Sequence, residues 1–329
     1  MSKEQSAIIK GFAILFMLIY HMGKIPDIQG LGQIYGVITT ACHPITYFLI
    51  VSGYGLYYAY KNGKLTWSYL FKRTLRLYLA FWLVLLVFVF GIASVMYPGR
   101  FSYKWTTVLL NLVGYRWDFC VFTWFLLPYV LMSFTTKWIF PLIDRIGIVI
   151  SLIGSMLLYF GTSFLISRYL ISWLHVHFEM YHIMLWAQTL FGLTMGVAIA
   201  QRTFAGKSVT WSKLQGKNLI VVALLVASFF LRGLIKTSAP NPFHAALVVW
   251  LVLHIDFNGL FKTVFVELGH KSMLMWFSQG FLAVYMFSEY IILLHYPLLI
   301  WFVWAVVCYI VACLLNPVVN SLAKALRLT

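Results

Sequence analysis

Lys10-Gly-Phe-Ala-Ile-Leu-Phe-Met-Leu-Ile-Tyr-His21 is an apolar run with a cation at one end and an imidazole at the other. The two ionisable residues stand eleven positions apart. On a helix that is about three turns, which puts both on one face and roughly 16 Å apart along the axis. The separation is about half the hydrocarbon thickness of a bilayer. An ionisable group inside a membrane segment is costly to bury, so its presence there points first to function.

The rest of the chain fits a membrane setting. Of 329 residues, 62% are hydrophobic and only 10% charged, and the mean hydropathy is +0.90. Soluble domains do not have this composition. No polar tract is long enough for a soluble domain, so the whole of 1–329 is expected to form one integral-membrane domain. The run Met1–Met22 lacks a small-residue cleavage site after its apolar core and reads as a first span rather than a cleaved signal.

The hydropathy pattern predicts an all-α, polytopic protein with about ten spans: 7–22, 35–60, 77–97, 121–141, 147–167, 181–200, 218–235, 243–260, 272–291 and 297–320. Basic residues 61–76 read as a loop, and segments 101–120 and 173–182 as interfacial. Ten spans put both termini on one side. With the termini cytoplasmic, Lys24, Arg100, Lys104, Arg116, Arg168, Arg232 and Lys236 are outer or embedded, and the other seventeen of 24 Lys and Arg face inward. That asymmetry obeys the positive-inside rule. It also accounts for a net charge of +16 without nucleic acid. The four cysteines lack metal or redox spacing; Cys42 and Cys120 both fall toward the outer face, and their pairing is left open.

Several residues could carry chemistry. His21 is either an interfacial histidine held by a neighbour or a general base for a hydroxyl nucleophile. Arg73 and Arg76, three apart, share a helix face; they are either inner-face anchors or a phosphate clamp. Ser52-Gly53-Tyr54 is either a close helix contact or a place where backbone approaches a ligand, with Ser52 as a polar contact. His175, His177, Glu179 and His182 form an outer cluster, read first as a polar-aromatic turn and second as a metal or acceptor site. No metal is expected.

Taken in order, these segments resemble acyltransferase family 3, integral-membrane O-acyltransferases that decorate bacterial surface glycans. The family opens with a basic residue, ten residues and a histidine; Lys10 and His21 match, with Lys in place of the more usual Arg. His43-Pro44, Tyr47-Phe48 and Ser52-Gly53-Tyr54 look like its second helix, Arg73 and Arg76 like its Arg-x-x-Arg, and Trp124-Phe125-Leu126 like its Trp-Phe-Leu. Leu190–Gly196 and Leu268–Trp276 resemble two later segments, with Gln279 where many members carry histidine.

The resemblance implies transfer of an acyl group, acetyl foremost, from cytoplasmic acetyl-CoA or another acyl-CoA to a hydroxyl of a cell-surface glycan or its lipid-linked precursor. His21 and Lys10 would be catalytic, Arg73, Arg76 and Ser52 would hold the donor, and His43, Trp124 and Glu179 would lie toward the acceptor. The expected setting is the bacterial cytoplasmic (inner) membrane among its lipids, with homo-oligomerisation left open. The rival is a ten-span transporter or flippase of a small solute or lipid-linked glycan. The sequence lacks the inverted repeat that many transporters carry.

Overall fold

The computed structural model describes residues 1–23, 33–174 and 176–328, and Lys24 and His175 lie outside them. Among the described residues the chain is helical without a strand. In order the helices are α1 (Lys3–Met22), α2 (Gln33–Ala41), α3 (Ile45–Lys61), α4 (Trp67–Leu85), α5 (Ser94–Met96), α6 (Trp105–Leu112), α7 (Leu126–Ile146) and α8 (Ile148–Leu165). Then come α9 (Ile171–Leu174), α10 (Phe178–Phe204), α11 (Asn218–Leu234), α12 (Asn241–Val252), α13 (Gly259–Gly280), α14 (Ser288–Ile292) and α15 (Pro297–Ala325). Wider π turns follow α4, α8 and α13, at Leu86–Ala93, Ile166–Leu170 and Phe281–Tyr285.

Among the described residues seven stretches are long and apolar enough to cross a membrane: Lys3–Met22, Gly36–Lys61, Trp67–Met96, Val121–Ile146, Ile148–Leu174, Phe178–Phe204 and Pro297–Ala325. Their length and composition mark a multi-pass membrane protein. The other three expected spans overlap α11, α12 and α13 in part. The first two have only 17 and 12 residues, and α13 carries Lys262, Glu267 and Lys271.

Local chemistry moves several expected boundaries. α1 begins with a capping box: the Gln5 amide donates to Ser2 Oγ (3.0 Å) and the Ser2 amide to Gln5 Oε1 (2.8 Å). The expected span 35–60 is broken between Ala41 and Ile45, where Pro44 supplies no amide hydrogen. Residues 67–76, expected as loop, are helical because Thr66 Oγ1 accepts the Tyr69 amide (3.1 Å) and starts α4 there. α12 ends at Val252 and α13 starts at Gly259, so the expected boundaries at 260 and 272 both fall inside α13.

The chain divides into two compact units. Unit 1 comprises residues 1–62, 140–160 and 190–272; unit 2 comprises 63–139, 161–189 and 273–329. In unit 1 the core joins α1, α3 and α12 through residues such as Ile9, Tyr47, Ile50 and Val249, each at most 1% exposed. Its helix pairs meet at glycines. A Cβ at Gly269 of α13 would stand 1.9 Å from the Ala7 carbonyl oxygen, and one at Gly196 of α10 would stand 2.1 Å from that of Ile50. One at Gly233 of α11 would stand 2.3 Å from the Val37 carbonyl oxygen of α2. Small residues permit this approach where no side chain separates two backbones. At one end of the unit Asp144 accepts from Lys61 Nζ (2.7 Å) and from the Tyr57 hydroxyl, while Gln201 Nε2 donates to that hydroxyl (3.0 Å), tying α3, α7 and α10.

Unit 2 packs α4 against α15. Trp304, fully buried, donates its indole N–H to the Gln279 carbonyl (3.2 Å). Cys42 in unit 1 and Cys120 in unit 2 are both buried free thiols.

Candidate functional site

Lys10, His21, His43 and Ser52 belong to unit 1, and Arg73, Arg76, Trp124 and Glu179 to unit 2. α1 runs unbroken from Lys3 to Met22, so Lys10 and His21 stand roughly 16 Å apart along one helix, as their spacing predicts. Lys10 is half-buried and stands between Ala7 and Gly11, where α1 meets α13. His21 is 7% exposed in the last turn.

The break at Pro44 positions His43. It lies in the short break between α2 and α3, which brings the imidazole beside Tyr20 of α1. The Tyr20 ring lies 5.5 Å from that of His21 and 5.1 Å, edge-on, from that of His43. Two histidines from separate sequence motifs thus flank one phenol. Ser52 is half-buried on α3. Its neighbour Gly53 takes the packing role: a Cβ there would stand 2.1 Å from the Leu193 carbonyl oxygen of α10.

A set of residues near this end of α1 was not singled out by sequence reading. Arg232 of α11 is only 4% exposed. Its Nε donates to Asn241 Oδ1 (2.9 Å), Nη1 to the Ile235 carbonyl (2.7 Å), and Nη2 to the Thr237 carbonyl (2.8 Å) and to Asn241 Oδ1. All these acceptors are neutral, and the carboxyl end of the α11 dipole supports the charge. Tyr20, Tyr47 and Tyr159 lie within its electrostatic reach. The Tyr47 hydroxyl is buried and has no hydrogen-bond partner among the described residues. His244 packs edge-on against Phe229, 4.7 Å between rings, with Ser228 Oγ 3.4 Å from Nε2. A lone arginine inside the apolar run 218–234 was the available signal.

In unit 2, Arg73 and Arg76 leave α4 toward different helices. Arg73 Nη2 donates to the Tyr129 hydroxyl of α7, with the guanidinium 5.9 Å from that ring. Arg76 is exposed and donates to Asn320 Oδ1 of α15 (2.7 Å). Trp124 sits beside Phe125, 5.8 Å between rings, and Phe125 lies 5.8 Å from Trp276. Trp276 donates to the Phe122 carbonyl (3.0 Å).

Glu179 lies in a polar-aromatic cluster. It accepts from the Tyr115 hydroxyl (2.9 Å) and stands 3.5 Å from His177 Nδ1. His182 Nε2 lies 2.8 Å from the Tyr115 carbonyl oxygen, and Arg116 stacks 4.2 Å from the Phe178 ring. Burial first, and then the Glu179 carboxylate, holds the Tyr115 phenol above its ordinary titration range. Among the described residues no group of three or more His, Cys, Asp or Glu is placed to hold a metal ion. The two segments 101–120 and 173–182 are therefore knit by Tyr115 and Trp117, which lies 5.5 Å from His182.

Gln279 is the other residue outside the expected set. It is fully buried, and neither its amide nitrogen nor its amide oxygen has a partner among the described residues. A buried amide left unsatisfied costs about 1–3 kcal/mol.

Compared with protein-family models, with curated proteins and with solved structures, the chain matches none.

Proposed function

We propose that the chain is a membrane O-acyltransferase of the acyltransferase family 3 kind. It moves an acyl group, acetyl foremost, from cytoplasmic acyl-CoA to a hydroxyl of a cell-surface glycan or its lipid-linked precursor. The observation that supports this reading best is the meeting of His21 and His43 around Tyr20. A buried imidazole at a helix end beside further titratable rings suits proton abstraction from a hydroxyl. Seventeen basic residues on one side favour cytoplasmic termini and ten crossings, the seven long stretches being joined by α11, α12 and α13. The setting is the bacterial inner membrane.

In the proposed reaction His21 takes the proton of the acceptor hydroxyl. The oxygen attacks the thioester carbonyl, the carbon–sulfur bond breaks, and the CoA sulfur leaves with a proton. The acyl group passes directly or by way of an acyl-enzyme. Arg73 and Arg76 suit the donor phosphates, since guanidinium groups pair with phosphate in two-point fashion. Lys10 suits the same phosphates, which leaves the thioester to reach the roughly 16 Å along α1 to His21.

The test is turnover of radiolabelled acetyl-CoA by purified protein in nanodiscs, with a crude surface-glycan fraction, for wild type, His21→Ala and Arg73→Ala/Arg76→Ala. Donor loss that needs His21 and the arginines is expected. Near-normal transfer by well-expressed His21→Ala overturns the assignment.

A further inference from the structure

Unit 1 holds an apolar crevice lined by none of the residues assigned to acyl transfer. Its volume is about 380 Å³, within the range of small-ligand clefts, about 300–1,000 Å³. Ile50 of α3, fully buried, forms its floor, with Met156 of α8, Met195 of α10 and Phe243 of α12 around it. The lining side chains are hydrocarbon, thioether and aromatic, and the Trp250 indole N–H is already given to the Val209 carbonyl (3.0 Å). Nothing in the crevice is left to pair with a polar ligand, so what it accepts is hydrocarbon.

The side of entry follows from exposure. At the rim Ile153 is 50% and Phe243 43% exposed. Ile153 belongs to α8, and Val149, Ile150, Leu157 and Leu158 of that helix are exposed as well. A long apolar helix with that surface meets lipid, and hydrocarbon entering past Ile153 comes from the bilayer.

One end of the crevice carries charge. Val209, which lines it, lies in the segment between α10 and α11. That segment is held on α12 by the Trp250 bond and on the turn after α12 by the Trp211 amide, which donates to His254 Nε2 (2.6 Å). It bears Lys207, Lys213 and Lys217, all exposed, and no acidic residue occurs between Glu179 and Asp256. A hydrocarbon slot with a cationic end is complementary to an amphiphile with an anionic head.

We infer that this crevice binds an acyl chain of an anionic phospholipid, whose phosphate lies against Lys207 and Lys213. The test uses the full chain in phosphatidylcholine nanodiscs doped with a phosphatidylglycerol that carries a diazirine in its acyl chain. Crosslinks are expected to concentrate on the peptides around Leu152–Met156 and Met195–Ile199. Excess unlabelled phosphatidylglycerol should suppress them several-fold, and excess phosphatidylcholine should not. Lys207→Gln/Lys213→Gln should lower the labelling several-fold and abolish that difference. Crosslinks spread evenly over the long helices overturn the inference, as does equal competition by phosphatidylcholine. Displacement by palmitoyl-CoA in preference to phosphatidylglycerol also overturns it, by giving the crevice to an acyl donor. The wild-type arms need no variant to fold, and none of the readouts depends on acyl transfer.

Discussion

Gly53 of α3 rests on the Leu193 carbonyl of α10, so that a Cβ added there would stand 2.1 Å from the oxygen. Gly55, two residues on, has open space at the same position. Gly53→Ala must push two backbones apart, and overpacking of this kind costs about 1–3 kcal/mol. Thermal unfolding in detergent should show a clear fall in Tm for Gly53→Ala and none for Gly55→Ala. Equal behaviour of the two would remove the packing role assigned to Gly53.

Gln279 offers a test that separates stability from function. Its amide is buried without a partner among the described residues. Gln279→Met replaces the amide with an apolar chain of similar length, which removes an unsatisfied group worth about 1–3 kcal/mol. The variant should melt at a higher temperature than wild type. If Gln279 also serves the proposed transfer, the same variant loses donor turnover, and a rise in Tm with a fall in kcat marks a group kept for use rather than for stability.

Under the proposed function, Arg76 should affect the donor more than the fold. It is exposed, and its bond to Asn320 (2.7 Å) is a surface contact, worth about 0.5–1.5 kcal/mol at most. Arg76→Ala is expected to raise KM for acetyl-CoA with kcat and Tm nearly unchanged, and the effect should weaken as salt rises. Asn320→Ala is the control that removes the bond and keeps the charge. Arg73 is bound to Tyr129 between α4 and α7, so Arg73→Ala should lower Tm as well as donor affinity.

Cys120 gives a pH-dependent prediction. It is 1% exposed, and burial pushes its thiol up to about 12 from an ordinary value of 9.0. The folded state thus keeps a proton that the unfolded chain releases. The stabilisation is complete below pH 9.0 and is lost as pH rises from there toward about 12. In a chain with Cys120 as its single cysteine, maleimide labelling of the native state should lack the usual rise near pH 9.0, and unfolding should restore it. Rapid native labelling at pH 8 would show that the thiol is not enclosed.

The all-helical class was legible because apolar runs of membrane length leave few alternatives. The unbroken helix joining Lys10 to His21 was legible for the same reason. Boundaries set by single polar atoms were not. Lys72, Arg73 and Arg76 read as a loop, yet Thr66 Oγ1 starts the helix before them. The start of α13 was hidden by Lys262 and Glu267, which the fold pairs with Glu4 (3.0 Å) and Lys271 (3.4 Å). In the candidate site, His21 and His43 were visible as motif residues, and Tyr20 between them was not, because its role is purely one of proximity. Arg232 escaped because its acceptors, the Ile235 and Thr237 carbonyls and Asn241, converge only when the turn after α11 forms.

Gly269 on Ala7 and Gly196 on Ile50 meet bare backbone, and Gly233 meets the Val37 carbonyl together with its Cγ1. Such seams have no compressible layer and no rotamers that could absorb a shift. α1 with α13, α3 with α10, and α2 with α11 therefore have little freedom to separate, and a rearrangement of unit 1 has three rigid couples to turn or slide rather than six independent rods. His21 rides on α1 and His43 lies just before α3, members of different couples, and the buried contact of Ile9 with Tyr47 and Ile50 locks those couples to each other, so the two imidazoles keep one fixed separation.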